Sequence, residues 1–246
     1  MKILSLNTWG GRAGKEALLD FFRKHKDVDV FCLQEIWEGG DDEASKWGEG
    51  IDTRMLTNIG NVLKEYSIFF YPHYHDWYGL AMFIKKDLNI LEEGDIFVHK
   101  DKGWIHEEFN ANHARNLQYA TIETSNGPRT ILNFHGLWNG GPKEDTDDRL
   151  AQSDNIVKFL KSISHHHVLM GDFNLLPETK SLKILEDLGM RNLIKEFGIT
   201  STRSSHYTKP ARFADYTLVS KDIKINEFKM LPDEISDHLA MYLDFE

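Results

Sequence analysis

The chain has 246 residues, of which 41% are hydrophobic and 12% aromatic, so residues 1–246 are expected to form one domain with a large core. The net charge of −10 argues against tight, non-specific binding to nucleic acid, although a bound cation would reverse the local field at a phosphate site. The single cysteine, Cys32, excludes an internal disulfide and a multi-cysteine zinc site.

Strands are predicted from short apolar runs that recur along the whole chain. Residues 2–8 and 28–35 have the pattern of buried strands, and residues 15–24 between them carry apolar side chains at helical spacing. Further strands are predicted at residues 67–71, 80–85, 117–124, 129–135, 168–172, 214–220, 223–231 and 239–245.

Two later helices are predicted from their capping residues. One begins after Thr146, which is a suitable N-cap residue and is followed by two acidic side chains. The other covers residues 178–188 and stops at Gly189, a residue suited to the position after a helix. Polar loops are predicted at residues 38–53, 100–116 and 139–145. Many strands with few helices indicate two packed sheets with helices outside.

Polar side chains stand at the ends of four apolar strands, where a buried carboxylate is costly without a cation or a hydrogen-bond network. The four segments are Leu6-Asn7-Thr8-Trp9, Leu33-Gln34-Glu35-Ile36, Gly171-Asp172-Phe173-Asn174 and Ser236-Asp237-His238. Carboxylates are hard oxygen ligands for magnesium or manganese, and an imidazole binds phosphate oxygen or transfers a proton. The segments therefore indicate chemistry that combines a cation with acid–base groups.

Some of these residues also have purely structural interpretations. Strand alternation would place Asp172 and Asn174 on one side of an extended chain, whereas an Asx-turn would use them to close the strand into a loop. Asp215 lies in an otherwise apolar strand, where it would either hold a histidine in one tautomer or form a structural salt bridge. His135 ends a predicted strand and would be either a core histidine or part of a site.

The order and spacing of these motifs resemble the endonuclease/exonuclease/phosphatase superfamily over essentially the whole chain. The motifs are Asn-x-Trp, Gln-Glu, a strand-ending histidine, Gly-Asp-x-Asn, Asp-Tyr and a terminal Ser-Asp-His. The resemblance implies an α/β fold like that of pancreatic-type deoxyribonucleases. In this four-layer sandwich, two facing mixed β-sheets are flanked by helices, and the site lies at one end.

The resemblance also implies a divalent cofactor, Mg²⁺ or Mn²⁺, and a set of groups around it. Glu35 would be the principal metal ligand, with Asn7 and Asp237 close to it. Asp172 would orient or deprotonate the attacking water, and Asn174 would hold a phosphate oxygen.

Four further residues receive roles from the same resemblance. His238, polarised by Asp215, would be the other acid–base group or a phosphate contact. His135 would lie next to the leaving group, and Arg115 would contact phosphate.

The sequence departs from the family pattern in two places. Some members carry an acidic residue where this chain has Trp9, and deoxyribonuclease-like members place a glutamate where this chain has Asp76-Trp77-Tyr78. Both differences argue against assuming DNA as the substrate. Trp9 and Trp138, each close to a proposed catalytic position, are predicted to form walls of the substrate site.

The predicted function is metal-dependent hydrolysis of a phosphoester in a small molecule, a lipid headgroup or a nucleic acid. Phosphodiester hydrolysis ranks above monoester hydrolysis, and a nuclease or an inactive phosphate-binding module are the alternatives. No signal peptide or apolar span is evident, so a cytoplasmic protein without stable membrane insertion is expected. No obligate protein partner is evident either.

Overall fold

A computed structural model describes residues 1–109 and 111–246, in which runs of consecutive strands are interspersed with helices. The strands are β1 Lys2–Asn7, β2 Val30–Trp37, β3 Tyr66–Tyr74, β4 Tyr78–Lys85, β5 Ile90–His99, β6 Arg115–Ile122, β7 Arg129–His135, β8 His167–Asp172, β9 Arg191–Asn192, β10 Asp215–Val219, β11 Ile225–Met230 and β12 Met241–Phe245. The helices are α1 Lys15–Lys24, α2 Asp41–Trp47, α3 Met55–Val62, α4 Asp147–Leu160, α5 Lys180–Asp187 and α6 Leu193–Glu196. A short 3₁₀ turn at Trp9–Gly11 follows β1.

The strands form two mixed sheets of six strands each. The first has the order β11-β12-β1-β2-β4-β3, and the second has the order β5-β6-β7-β8-β10-β9. At the centre of each sheet is a parallel pair, β1 with β2 and β7 with β8. Because parallel neighbours end at the same edge, each pair presents two strand ends side by side.

The two sheets face each other, with β1, β2 and β4 packed across from β7 and β8. Side chains in β1 and β2 alternate: Ile3 and Cys32 belong to the core between the sheets, whereas Leu4 and Phe31 lie under α1 and α3. Helices α4 and α5 pack together and cover the second sheet. The predicted four-layer α/β sandwich is therefore confirmed.

Several elements depart from the sequence prediction. Helix α1 has the predicted bounds, but α2 lies inside the segment 38–53 that was predicted to be a loop. Helix α2 buries little except Ala44, which packs in an aromatic cluster with Trp37 and Tyr74, so its sequence lacks an apolar periodicity. Helix α3 and strand β5 were not predicted; β5 is an edge strand with mostly half-exposed side chains. Asn110, within the predicted loop 100–116, lies outside the described residues.

Helix α4 has 14 residues and begins, as predicted, after Thr146, whose side chain accepts a hydrogen bond from the Arg149 backbone. Among the helices of the described ranges, none combines the length and apolar character needed to cross a bilayer.

Candidate active site

The two parallel strand pairs bring the predicted residues to one end of the sandwich. Asn7, the last residue of β1, is in register with Gln34, so Glu35 follows at the same edge. In the facing sheet, His135 at the end of β7 is in register with Asp172 at the end of β8. Asp215 pairs with Asp172 across the antiparallel β8–β10 ladder. The topology thus places four strand ends from two sheets around one space.

The backbone of β2 is bent to turn Glu35 into this space. The register between β2 and β4 shifts between Leu33 and Ile36, which marks a β-bulge, and Glu35 has a φ of 59°. Asn174 and Trp9 also have positive φ values, 53° and 52°. A positive φ is unfavourable for residues other than glycine, and backbone strain of this kind concentrates at functional sites.

A buried chain of carboxylates and an imidazole forms the centre of the site. Nδ1 of His238 lies 2.8 and 2.9 Å from the two carboxylate oxygens of Asp215, and Nε2 lies 3.6 Å from Asp172 Oδ2. Burial opposes ionisation of Asp172, but the charges of His238 and Lys143 hold its pKa well below its usual range. Burial and Arg203 oppose protonation of His238, yet the neighbouring carboxylates raise its pKa.

Two further carboxylates, those of Glu35 and Asp237, line the cavity of the site and offer oxygen ligands to a hard cation. Burial raises the pKa of Glu35; Arg12 opposes this effect and Asp237 adds to it. Oδ1 of Asp237 is buried and has no hydrogen-bond partner among the described residues. Magnesium prefers one or two carboxylates together with water and substrate oxygens, so this donor set fits the ion.

Asn7 contacts both acidic groups through its amide nitrogen. Nδ2 lies 3.1 Å from Glu35 Oε1 and 3.0 Å from Asp172 Oδ2, while Oδ1 accepts a hydrogen bond from the Trp9 backbone at 2.9 Å. In this arrangement Asn7 orients the two carboxylates. Its role as a metal ligand stays a prediction.

The Asp172–Asn174 pair forms a turn rather than an extended strand. Strand β8 ends at Asp172, and the backbone N–H of Asn174 donates to Asp172 Oδ1 at 2.9 Å. The prediction from strand alternation is therefore wrong, and the Asx-turn interpretation is confirmed. Both side chains nevertheless line the same cavity.

That cavity has a volume of about 490 Å³. His135 and Arg115 line its buried side. Nε2 of His135 lies 3.8 Å from Asp172 Oδ2, and burial together with Arg115 lowers the pKa of His135 far enough to leave the imidazole neutral. The predicted wall residues Trp9 and Trp138 also line the cavity.

Sequence reasoning missed several cations that line the cavity. Lys143 donates to Asn174 Oδ1 at 2.8 Å, and Nη1 of Arg203 lies 3.2 Å from Asp237 Oδ2 and also contacts His238. Arg12 lines the same cavity. Arg12 and Lys143 lie in polar segments that follow strands, whereas Arg203 lies in the segment between α6 and β10, and none of the three belongs to a recognisable motif. Their only sequence signal is a positive charge in a loop.

The chain belongs to the Endonuclease/Exonuclease/phosphatase family, whose sequence profile matches residues 4–238. Members of this family are in general phosphoester hydrolases. None of the curated protein sequences matches the chain.

Solved structures share the fold over the whole chain. A mannosyl-6-phosphatase from Bacteroides thetaiotaomicron is 16% identical with a TM-score of 0.75, covering 100% of this chain and 99% of its own. A conserved protein of unknown function from Enterococcus faecalis is 18% identical with a TM-score of 0.76, covering 100% and 99%. The catalytic domain of human Nocturnin is 18% identical with a TM-score of 0.68, covering 100% and 93%. At these identities the likeness establishes the fold alone.

Proposed function

We propose that the protein is a divalent-metal-dependent phosphoester hydrolase in which Asp172 orients the attacking water and Glu35 with Asp237 holds Mg²⁺ or Mn²⁺. One observation carries the proposal. His238, held by the buried Asp215, and Asp172 line one cavity together with the carboxylates of Glu35 and Asp237, at the end of both sheets. Family membership supports the same reaction class, as does the activity in the name of one structural neighbour, the mannosyl-6-phosphatase.

Each group has a position that suits a step of hydrolysis. Asp172 is ionised and accepts a hydrogen bond from water, taking its proton as the water oxygen adds to phosphorus. His238, held by Asp215, presents Nε2 toward the same space and, when protonated, gives its proton to the leaving ester oxygen. Asn174 and Arg115 supply donors to phosphate oxygens as the ester bond breaks. A bound divalent cation supplies charge stabilisation for the phosphoryl group.

The first test is hydrolysis of p-nitrophenyl phosphate and bis-p-nitrophenyl phosphate with magnesium, manganese or a chelator. Asp172→Ala is expected to lower kcat by about 10²- to 10⁴-fold, the usual contribution of a positioned base. Asp187→Ala, which removes an exposed aspartate paired with Lys183 on α5, is the matched control. Turnover that survives both the chelator and Asp172→Ala would refute the proposal.

A nuclease and a binding-only protein are separated from this function by two added measurements. Supercoiled plasmid cleavage that exceeds turnover of both small esters would favour a nuclease. Metal binding by calorimetry without any turnover would indicate the binding module instead.

A further inference from the structure

We infer that the substrate is a phosphate monoester, bound as a dianion and carried on one small ring-shaped group such as a sugar. This inference rests on the proposed hydrolase function and reverses the preference for diesters that the sequence alone suggested. It is carried by the charge of the cavity, the lack of a direct ion pair at two of its buried cations and the position of its aromatic side chains.

The cavity is locally cationic although the chain carries a net charge of −10. Five of its lining side chains are cations and three are carboxylates. The cations are Arg12, Arg115, Lys143, Arg203 and Lys209, and the carboxylates are Glu35, Asp172 and Asp237. A phosphate monoester carries about −1.5 to −2 charge at pH 7, whereas a diester carries a single negative charge. The excess of cations matches the more highly charged ester.

Two of these cations are buried without a direct ion pair among the described residues. Arg115 is 2% exposed and Lys143 is 7% exposed, and within the described ranges no carboxylate lies within 4.0 Å of either charged group. Lys143 donates only to the amide oxygen of Asn174, and Nε of Arg115 has no partner among the described residues. A buried charge that makes hydrogen bonds only to neutral groups is costly, so these groups are placed to receive an anion.

Arg12, in the segment that follows β1 of the first sheet, also lines the cavity. Its guanidinium donates to the backbone oxygens of Trp9 and Trp47, each at 3.1 Å, rather than to a carboxylate. A phosphoryl group between Arg12, Arg115 and Lys143 would meet cations from more than one side. A dianion presents three charged oxygens to such a set, whereas a diester blocks one of them with a second substituent.

Fully buried and partly buried residues lie at different depths of the cavity. Asp172, Asn174 and His135 are buried, whereas Trp9 and Trp138 are only partly buried at the rim. A phosphoryl group among the buried residues therefore leaves one direction, toward the aromatic rim, for its ester substituent.

The rim favours a flat or ring-shaped substituent. Trp138 and Tyr207 line the cavity, with Lys209 over the Trp138 ring at 5.8 Å and Arg203 over the Tyr207 ring at 4.0 Å. Each of these rings has a cation over one face, so the rim offers apolar ring surface next to charged donors, a mixture that suits a ring carrying hydroxyl groups. A hexose phosphate and a nucleoside monophosphate both have this chemistry.

The decisive experiment compares p-nitrophenyl phosphate with methyl p-nitrophenyl phosphate, which share a leaving group and differ in one charge. With magnesium at pH 7, kcat/KM for the monoester is expected to exceed that for the diester by at least about tenfold. Glucose 6-phosphate and adenosine 5′-monophosphate, followed by release of inorganic phosphate, then separate a sugar from a nucleoside substituent. An equal or faster rate on the diester would overturn the inference while leaving the hydrolase function intact.

Lys143→Met provides the matched test of charge. It is expected to lower kcat/KM on the monoester at least about tenfold more than on the diester, whereas Lys183→Met, at an exposed lysine, leaves the ratio unchanged. Equal loss on both esters would contradict a dianion site. If no ester is hydrolysed, the proposed function fails and the inferred substrate fails with it. Calorimetry with magnesium then tests only the charge preference of the cavity: tighter binding of glucose 6-phosphate than of dimethyl phosphate supports a dianion site, and no preference overturns it.

Discussion

Nε2 of His73 lies 3.4 Å from Nη1 of Arg115, so a buried imidazole contacts the guanidinium that faces the cavity. The amide nitrogen of Asn116 donates to Tyr71 O at 3.1 Å and to Asp95 Oδ2 at 2.8 Å, which leaves Asn116 Oδ1 to accept from His73 Nδ1 at 2.8 Å. His73 Nε2 is then unprotonated, and its lone pair accepts a hydrogen bond from Arg115 Nη1. Burial, reinforced by the charge of Arg115, lowers the pKa of His73 to about 3, so the imidazole stays neutral.

His73 is therefore expected to act as a positioning residue for Arg115. His73→Phe removes the acceptor and should lower kcat/KM by roughly 10-fold or more, because a hydrogen bond to a charged group contributes about 1.5–3 kcal/mol. His73→Gln retains an acceptor and should recover part of the loss. Steady-state kinetics measures both variants, with thermal unfolding as the control for stability. Equal kinetics for the two variants would show that His73 only fills space.

Lys143 is expected to give the activity an alkaline limit. Burial lowers the pKa of its ammonium group to about 8, although Asp172 opposes the shift. The charged form, which is proposed to bind phosphate, is present below this pKa and is lost as the pH rises through it. We therefore expect kcat/KM to fall above about pH 8.

Lys143→Arg provides the control, because a guanidinium stays charged at alkaline pH. The pH profile of this variant should lack the decline near pH 8 even if its maximum rate is lower. A decline at the same pH in both proteins would assign it to another group.

Metal removal should be visible in stability as well as in activity. Burial and the neighbouring Asp237 disfavour the charged form of Glu35, and a bound divalent cation would offset this cost. A cation that binds only the folded protein raises Tm, by an amount set by its concentration relative to Kd. Glu35→Gln removes one of the facing charges. Its metal-free form should melt at or above the wild-type temperature, and magnesium should no longer raise Tm. A magnesium-induced rise that persists in Glu35→Gln would place the cation elsewhere.

Gly171 is expected to be indispensable for the geometry of Asp172. It has a φ of +146°, and a Cβ atom there would lie 1.9 Å from the carbonyl oxygen of Phe134 in the neighbouring strand. Gly171→Ala should lower Tm by roughly 5–10 °C, since strain of a few kcal/mol at one residue shifts a chain of this size by that amount. Gly127→Ala is the control. Gly127 also has a positive φ, but a Cβ there meets nothing within 4 Å, so a smaller loss is expected.

Local sequence was sufficient to predict most of the helices and strands and to identify the polar residues at the ends of strands. The apolar runs of β1, β2, β7 and β8 predict buried strands because their side chains are apolar on both faces. Helix α2 and strand β5 escaped prediction because tertiary contacts, rather than an apolar periodicity, stabilise them.

Tertiary structure alone decided how these residues meet. The sequence by itself determined the family resemblance and the residue types of the site, because a carboxylate or an imidazole at the end of an apolar run is visible locally. It could not reveal the bulge that turns Glu35 inward, since the bulge depends on the register between β2 and β4. It could not reveal the cationic cavity either, because Lys143 and Arg203 reach the site from loops far apart in the chain. The local sequence therefore determines which acidic and imidazole side chains end the strands. The balance of positive and negative charge around the cavity arises only when the two sheets pack face to face and the loops bring their cations to the same end.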